Sequence, residues 1–442
     1  MGVALSKSKL GRSIVLLCIL LAITTLPSIN YTKAQPRTIT VPDDYQTIQE
    51  AIDNAIDGDT IFVKKGTYYN QSLIVNKSIS LIGEDPKTTI LQGPNIEYIK
   101  TKRVPNNKPD FTLLNSKTSI NFLPAITIVF QVEANDVTIT GFTITNAFTG
   151  ITGNGNGTNI TGNIIRGSNN GLSVSGFYKT IAHNNITGSI HGIQFSGSFS
   201  SITGNNIAPS MAGIDLSGSS NTVSENSIIG SNGHGIEVNG DSNTISNNNI
   251  TDDSTGITLR TGLGNIVSGN NITENWSTGI WIYQSSNNIV YKNFIANNVK
   301  DYAGFGISLT GLNHNAENNT LYHNTLVNNT HHFRTEAPYF VNYWDNSYEG
   351  NYWDNYNGTD SDGNGIGDTS YIIAEGNVDD FPLMFPYDVE TDSIIKPPPE
   401  VEPFPTTIVI VSVSIVVIVG IIIAVFVFGI AKLLAKKRKT SQ

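Results

Sequence analysis

A single period runs through the middle of this 442-residue chain and decides most of what it can become. Asparagine two residues ahead of an aliphatic recurs as Asn163/Ile165, Asn184/Ile186, Asn205/Ile207, Asn226/Ile228, Asn248/Ile250, Asn270/Ile272, Asn293/Ile295 and Asn324/Leu326, at steps of 21, 21, 21, 22, 22, 23 and 31 residues. Glycine followed by an aliphatic keeps the same step, from Gly171-Leu172 through Gly192-Ile193, Gly213-Ile214, Gly235-Ile236, Gly256-Ile257 and Gly279-Ile280 to Gly306-Ile307. A third marker follows at Ile160, Ile181, Ile202, Val223, Ile245, Val267 and Val290. Three markers on one period define a stack of equivalent units, each covering its neighbour's apolar surface.

The local pattern says what each unit is. Ile193-Gln194-Phe195, Ile214-Asp215-Leu216, Ile236-Glu237-Val238 and Ile280-Trp281-Ile282 alternate inward, outward, inward, which is a strand with one buried face. Gly, Asn and Ser punctuate between such triplets, as turns require. About three short strands per 21–23 residues fit one coil, so the expected fold is all-β: a right-handed, single-stranded parallel β-helix. A leucine-rich repeat would need Leu at fixed offsets and a helical segment, and neither is present. Stacked coils put the repeating Asn one above another as an internal ladder of amide hydrogen bonds, each worth roughly 1 kcal/mol.

A solenoid needs capped ends. Between Tyr45 and Ile56 an amphipathic helix is expected, with Ile48, Ala51, Ile52 and Ala55 on one face, followed by a turn at Gly58-Asp59. The organisation expected is a signal peptide (1–34), an N-terminal cap with the first coils (35–93), an irregular insertion (94–124), the coils proper (125–345) and a C-terminal cap (346–387). A Pro-rich stalk (388–407), one transmembrane helix (408–431) and a basic tail (432–442) complete it. The insertion carries Lys100, Lys102, Arg103, Lys108 and Lys117 and reads as a solvated loop.

The two ends give the compartment. Lys7, Lys9 and Arg12 precede a short apolar run, Ile14 to Leu26, with small residues beyond, which is a secretory signal. Ile408 to Ile430 is apolar and long enough to span a bilayer, and Lys432, Lys436, Lys437, Arg438 and Lys439 behind it hold that end in the cytoplasm. The expected location is therefore the cell membrane, with the coils outside. Cys18, the single cysteine, falls in the leader, so the mature chain has no disulfide. Outside leader and tail, 17 basic residues face 36 acidic ones, about −19, which excludes nucleic acid as a partner. Sequons at Asn185, Asn249 and Asn271 each follow a ladder Asn and point outward as glycan acceptors.

These features resemble a known family. Thr40-Val41-Pro42, Thr47-Ile48-Gln49-Glu50-Ala51-Ile52, Gly58-Asp59-Thr60-Ile61, Gly66-Thr67-Tyr68 and Ser78-Ile79-Ser80-Leu81-Ile82-Gly83 resemble the N-terminal coil of pectin-lyase-like proteins. The Asn/Ile and Gly/Ile coils resemble the repeats of NosD-like proteins, the copper-accessory family of nitrous oxide reductase. Gly350-Asn351-Tyr352-Trp353-Asp354, Gly365-Ile366-Gly367-Asp368 and Phe381-Pro382-Leu383 are similar to the end of that domain as archaeal surface proteins carry it. The resemblance implies the fold over most of residues 38–386, and it carries copper accessory work as one function. The donor inventory argues against copper: the mature chain offers Met211, Met384 and scattered histidines, and no Cys.

Three groups of residues are candidates for chemistry. Asp360, Asp362, Asn364, Ile366 (through its carbonyl) and Asp368 occupy calcium-loop positions 1, 3, 5, 7 and 9, with Gly365 at the turn; Tyr371 stands where an EF-hand has Glu, so a short calcium loop is expected. On the outward row of one sheet, Asp215 and Glu237 lie one coil apart, near the ~5 Å carboxyl separation of retaining glycosidases, with Arg260 as counter-charge. Trp281 and Tyr283, further along, form a platform for ligand, since a flat ring stacks on sugar. Gly233-His234-Gly235 matches a short polygalacturonase motif without the paired aspartates that should precede it, and reads as a turn. Together these favour a non-catalytic envelope protein that recognises carbohydrate or a surface-layer neighbour. A polysaccharide hydrolase, lyase or epimerase is the alternative, and copper delivery the third.

Overall fold

The computed structural model describes residues 35–94, 127–208, 211–299, 304–311, 316–335, 341–388 and 393–394. The expected signal peptide, insertion, stalk, transmembrane helix and tail lie almost wholly outside them. Among the described residues no helix is long and apolar enough to cross a membrane.

Each full coil contributes one strand to each of three parallel sheets; two sheets stack twelve strands and the third stacks eleven, with Ser285–Ser286 as an extra strand beside it. The sheets are labelled A, B and C here in the order in which a coil visits them. In one coil these are Thr180–Ala182, Asn185–Thr187 and His191–Ser198. The three sequence markers fall one to a sheet: Ile181, Ile186 and Ile193 are fully buried and pair with Ile202, Ile207 and Ile214 of the next coil. With neighbouring strands about 4.8 Å apart, eleven steps give a rod of roughly 50 Å. The core is the file of Ile, Leu and Val inside the three walls.

The repeating glycine is explained by space. A Cβ on Gly213 would lie 2.3 Å from the Gly235 carbonyl oxygen and 2.6 Å from Ile228 Cγ2, so the corner entering sheet C admits no side chain.

The Asn ladder between sheets A and B is present as expected. Asn226 Oδ1 accepts from Asn205 N and Nδ2 (both 2.9 Å), and Asn226 Nδ2 donates to the Ile202 carbonyl (2.9 Å) and to Asn248 Oδ1 (3.0 Å). A second ladder, which the single Asn/Ile alignment missed, fills the corner between sheets C and A through Asn221, Asn243, Asn265, Asn288, Asn319 and Asn342. Its amides donate to carbonyls a coil back, as Asn221 Nδ2 does to Gly197 (2.9 Å). Fully buried Lys179 stands in the same file and its Nζ donates to the Gly155 carbonyl, so it is a ladder residue with a longer arm. Burial without a counter-charge lowers its pKa to about 8.

Both ends are closed. The N-terminal helix α1 is shorter than expected, Ile48–Asn54, because Ala55 is already extended; Thr47 and Glu50 form a capping box, and Lys77 Nζ binds the carbonyls of Ile52, Asp53 and Ala55. At the other end the hairpin Tyr371–Ala374/Asn377–Asp379 finishes both ladders. Asn377 Oδ1 receives Asn342 N (3.2 Å) and Trp344 Nε1 (3.0 Å), while Asp379 Oδ2 receives Asn351 N and Trp353 Nε1 (both 2.8 Å).

Candidate functional site

Sheet C has the longest strands, and its outer face gathers the outward candidates. Asp215 and Glu237 are direct Cα partners on Ala212–Ser217 and His234–Asn239, and Thr258 and Trp281 continue the row. Arg260 reaches Glu237 from a bulge. The register slips between Val238 and Asn239, so Asn239 pairs with Thr261 and Arg260 is the extra residue of a bulge. The bulge turns its guanidinium back to Glu237 Oε1 at 3.2 Å.

Two histidines that the sequence reading set aside join this face. His191 Nδ1 lies 3.1 Å from Asp215 Oδ2. His234 Nδ1 lies 2.7 Å from Thr258 Oγ1, and its Nε2 lies 3.4 Å from Glu237 Oε2. Burial holds the His234 imidazole below its ordinary pKa; Glu237 and Asp215 pull it back up, and Arg260 lowers it further. Their common register, one residue before the conserved-step glycine, was the available signal: His191 and His234 sit two coils apart in front of Gly192 and Gly235.

Trp281 and Tyr283 are neighbours, with ring centroids 5.3 Å apart and planes tilted by 54°. The indole N–H donates to Thr310 Oγ1 (2.7 Å), and the ring leans toward His234 at 6.3 Å. Thr258, outward between them, is only 1% exposed, so the indole is laid along the sheet and both rings are half-buried.

Along the same sheet, on the other side of Asp215, runs a groove of about 930 Å³ floored by Thr152, Ser173 and Gln194 and bordered by Glu133, Asn154, Ser175, Ser196 and Ser217. Hydroxyls, amides and carboxylates thus lead over five coils from Glu133 to Asp215, and Glu237, Arg260, Trp281 and Tyr283 follow. This open, axial trough suits an extended chain rich in hydroxyls. As chemistry, Asp215 and Glu237 are a carboxylate pair, but Glu237 is already engaged by Arg260, His234 and Asn239 Nδ2 (3.2 Å).

The acidic loop is closed by its own donors. Asp360 accepts from Asn364 N (3.1 Å) and Gly365 N (2.9 Å), Asp362 from Asn364 N (3.1 Å) and Nδ2 (3.0 Å), and Asn364 Oδ1 from Ile366 N (2.7 Å). Asp368 turns instead to Ser361 Oγ (2.6 Å) and Thr359 Oγ1 (2.9 Å), bonds that lower its pKa. Calcium would have to exchange these bonds for coordination.

The comparisons with known proteins follow the fold. The family described as "Periplasmic copper-binding protein (NosD)" matches residues 201–358, and that described as "Protein of unknown function (DUF1565)" matches residues 37–242. No curated protein matches the sequence. Among solved structures, the Dettilon tailspike protein superposes with TM-score 0.50 at 15% identity, over 66% of this chain and 62% of its own. The alginate lyase AlyF-OU02, solved in complex with G6, gives TM-score 0.50 at 16% identity, over 67% of this chain and 72% of its own. A PL6 alginate lyase solved with a trisaccharide gives the same score and identity, over 67% and 73%. The molecule is therefore a parallel β-helix of the pectin-lyase-like kind, an architecture it shares with polysaccharide-active enzymes and tailspikes. Within that class, residues 201–358 are similar to the NosD family.

The described residues do not fit the copper in that family's description. Copper(I) favours thiolate and thioether, and imidazole serves copper generally. Met211 is an isolated, exposed turn residue. His332 Nε2 is 2.6 Å from Asp354 Oδ1, and His323 Nε2 is 2.7 Å from Glu349 Oε2. Among the described residues no group of three or more His, Cys, Asp or Glu gathers to hold a metal.

Proposed function

We propose that this is a cell-surface recognition protein, held to the membrane by residues 408–431, that binds polysaccharide along the outer face of sheet C without turning it over. The observation that carries the reading is the continuity of that face: a polar trough runs along the rod axis and leads to an aromatic pair. An extended glycan lying there meets hydroxyl and amide partners in successive coils, and one sugar face can stack on Trp281 or Tyr283. Recognition needs no lid, and the trough is open.

Affinity of the purified protein for a glycan array, followed by product analysis of every bound polymer, tests this. Trp281→Ala is expected to weaken binding about tenfold, which corresponds to the loss of roughly 1.4 kcal/mol of ring contact. Asp215→Asn and Glu237→Gln should alter affinity without abolishing any turnover. The register pairing of Asp215 with Glu237 favours one second reading, a polysaccharide hydrolase, lyase or epimerase. Cleavage products that vanish in Glu237→Gln would establish that reading in place of the first.

A further inference from the structure

Two solved proteins of this fold are alginate lyases, and alginate is an acidic polymer, yet the charge of this groove points to the opposite kind of glycan. We propose that the trough on sheet C selects amino-sugar polymers, whose units carry free ammonium groups, and rejects uronates. The inference rests on the carbohydrate reading of this face and names its ligand class.

Two carboxylates line the groove, Glu133 at one end and Asp215 at the other. Each has one oxygen committed to a neighbour: Glu133 Oε1 accepts from Gln131 Nε2 at 2.8 Å, and Asp215 Oδ2 lies 3.1 Å from His191 Nδ1. The second oxygen of each has the acceptor chemistry an ammonium wants. The rest of the lining is Ser, Thr, Gln, Asn and apolar residues, with no Lys or Arg. Arg260, beyond the groove, is consumed by Glu237, and Lys179 beside it is buried under the corner. A uronate would bring carboxylates against carboxylates with no cation to receive them, and like charges in a half-enclosed trough repel. Glu133 and Asp215 stand four coil steps apart, about 19 Å. A chain with an amine on each unit presents one near both, whereas a single monosaccharide reaches only one. Selectivity should therefore grow with oligomer length.

The test titrates the full-length protein with glucosamine, N-acetylglucosamine and guluronate/mannuronate oligomers of equal length, at low and high salt, with EDTA and with calcium. Glucosamine oligomers should bind at least about tenfold more tightly than either other class at low salt, two partly exposed ion pairs being worth that much together. The advantage should shrink at high salt and in Glu133→Gln/Asp215→Asn, where the amine oligomer should lose more affinity than the N-acetylated one. Equal or tighter binding of uronates, including binding that needs calcium as a bridge, overturns the inference while leaving the carbohydrate reading intact. Equal affinity for the amine and its N-acetyl form also overturns it. If no oligomer of any class binds, the carbohydrate reading itself falls and takes this inference with it.

Discussion

Asp253 sits where a ladder wants an amide. The corner between sheets B and C runs through Ser231, Asp253, Asn275, Asn298 and Asn329, and Asp253 is fully buried in it. Its Oδ1 accepts from Ser231 N at 2.5 Å and its N–H donates to Asn275 Oδ1 at 3.1 Å, as ladder asparagines do. In Asn298 of this corner, and in Asn226 and Asn243 of the other two ladders, the second side-chain atom is an Nδ2 that donates to the next coil, whereas Asn275 Nδ2 has no partner. In Asp253 it is Oδ2, which has no hydrogen-bond partner. A sealed oxygen with no donor facing it favours the protonated, uncharged carboxyl. Burial pushes Asp253 up to about 7, against the pull of Ser231 and aided by Asp252.

A carboxyl with a folded pKa above its unfolded 3.8 binds its proton more tightly in the native state, so stability falls as pH rises between those values. Across the window from about 4 to about 7 the loss is at most about 4 kcal/mol, at 1.36 kcal/mol per unit. Asp253→Asn removes the buried charge and with it the titration. Melting temperatures of both proteins from pH 4.5 to 8 should nearly coincide at the acid end, and the variant should gain progressively toward neutrality. Asp379, also pushed up to about 7 by burial, is present in both and cancels from the difference. It is also a useful contrast, because Asn351 N, Trp353 Nε1 and Phe381 N all donate to it, so Asp379→Asn should destabilise. Parallel melting curves for wild type and Asp253→Asn, or a variant less stable at pH 8, would refute the argument.

Asn226→Leu removes the acceptor of Asn205 N and Nδ2 and the donor to the Ile202 carbonyl and Asn248 Oδ1 in a sealed corner, so a loss of about 4 kcal/mol is expected by thermal or chemical denaturation; an unchanged midpoint would contradict it. Calcium is expected to raise the melting temperature of wild type through the 360–368 loop by mass action, and Asp362→Asn/Asp368→Asn should lose the rise while keeping its β-sheet spectrum. No response in either protein would leave the loop a hydrogen-bonded turn. Protease added to intact cells should release a soluble fragment ending near Lys396 to Pro405, and protection of the coils until permeabilisation would reverse the topology.

The architecture was legible because a solenoid writes its constraints once per coil. Ile181, Ile186 and Ile193 each belong to a file of equivalents, so burial, strand phase and corner chemistry could be read by alignment of the chain with itself. What failed to show was whatever breaks the period. The second ladder was missed because its file passes from Asn221 back through Ser200, Lys179 and Thr158, and only half of it repeats. The bulge at Arg260 did not show because it adds a residue without changing the neighbouring pattern of Ile257, Leu259 and Thr261. The ends of α1 were overrun because Ala55 and Ile56 keep the apolar phase after the backbone has already extended.

The same reasoning says where function is to be sought. Repetition on the inside is enforced by packing, so residues there report on stability, whatever their chemistry: Lys179 and Asp253 are buried titratable groups, and both are explained by the ladder files they occupy. The outward positions of sheet C carry no such constraint. Ser173, Gln194, Asp215, Glu237, Thr258, Trp281 and Ser308 occupy one register, yet they change in size, charge and polarity from coil to coil, whereas the inward residue immediately before each is always Leu or Ile. Non-repeating chemistry on a repeating scaffold lets a linear ligand be read unit by unit, with a different partner at every step of about 4.8 Å. On that argument the carboxylates, the Arg260 bulge and the aromatic pair belong to one recognition surface. A variant such as Thr258→Lys should disturb binding while leaving the fold intact, since Thr258 faces outward between Glu237 and Trp281 and bonds to His234. Unchanged affinity in a Thr258→Lys protein that melts like wild type would separate the aromatic pair from the groove and break the surface into unrelated parts.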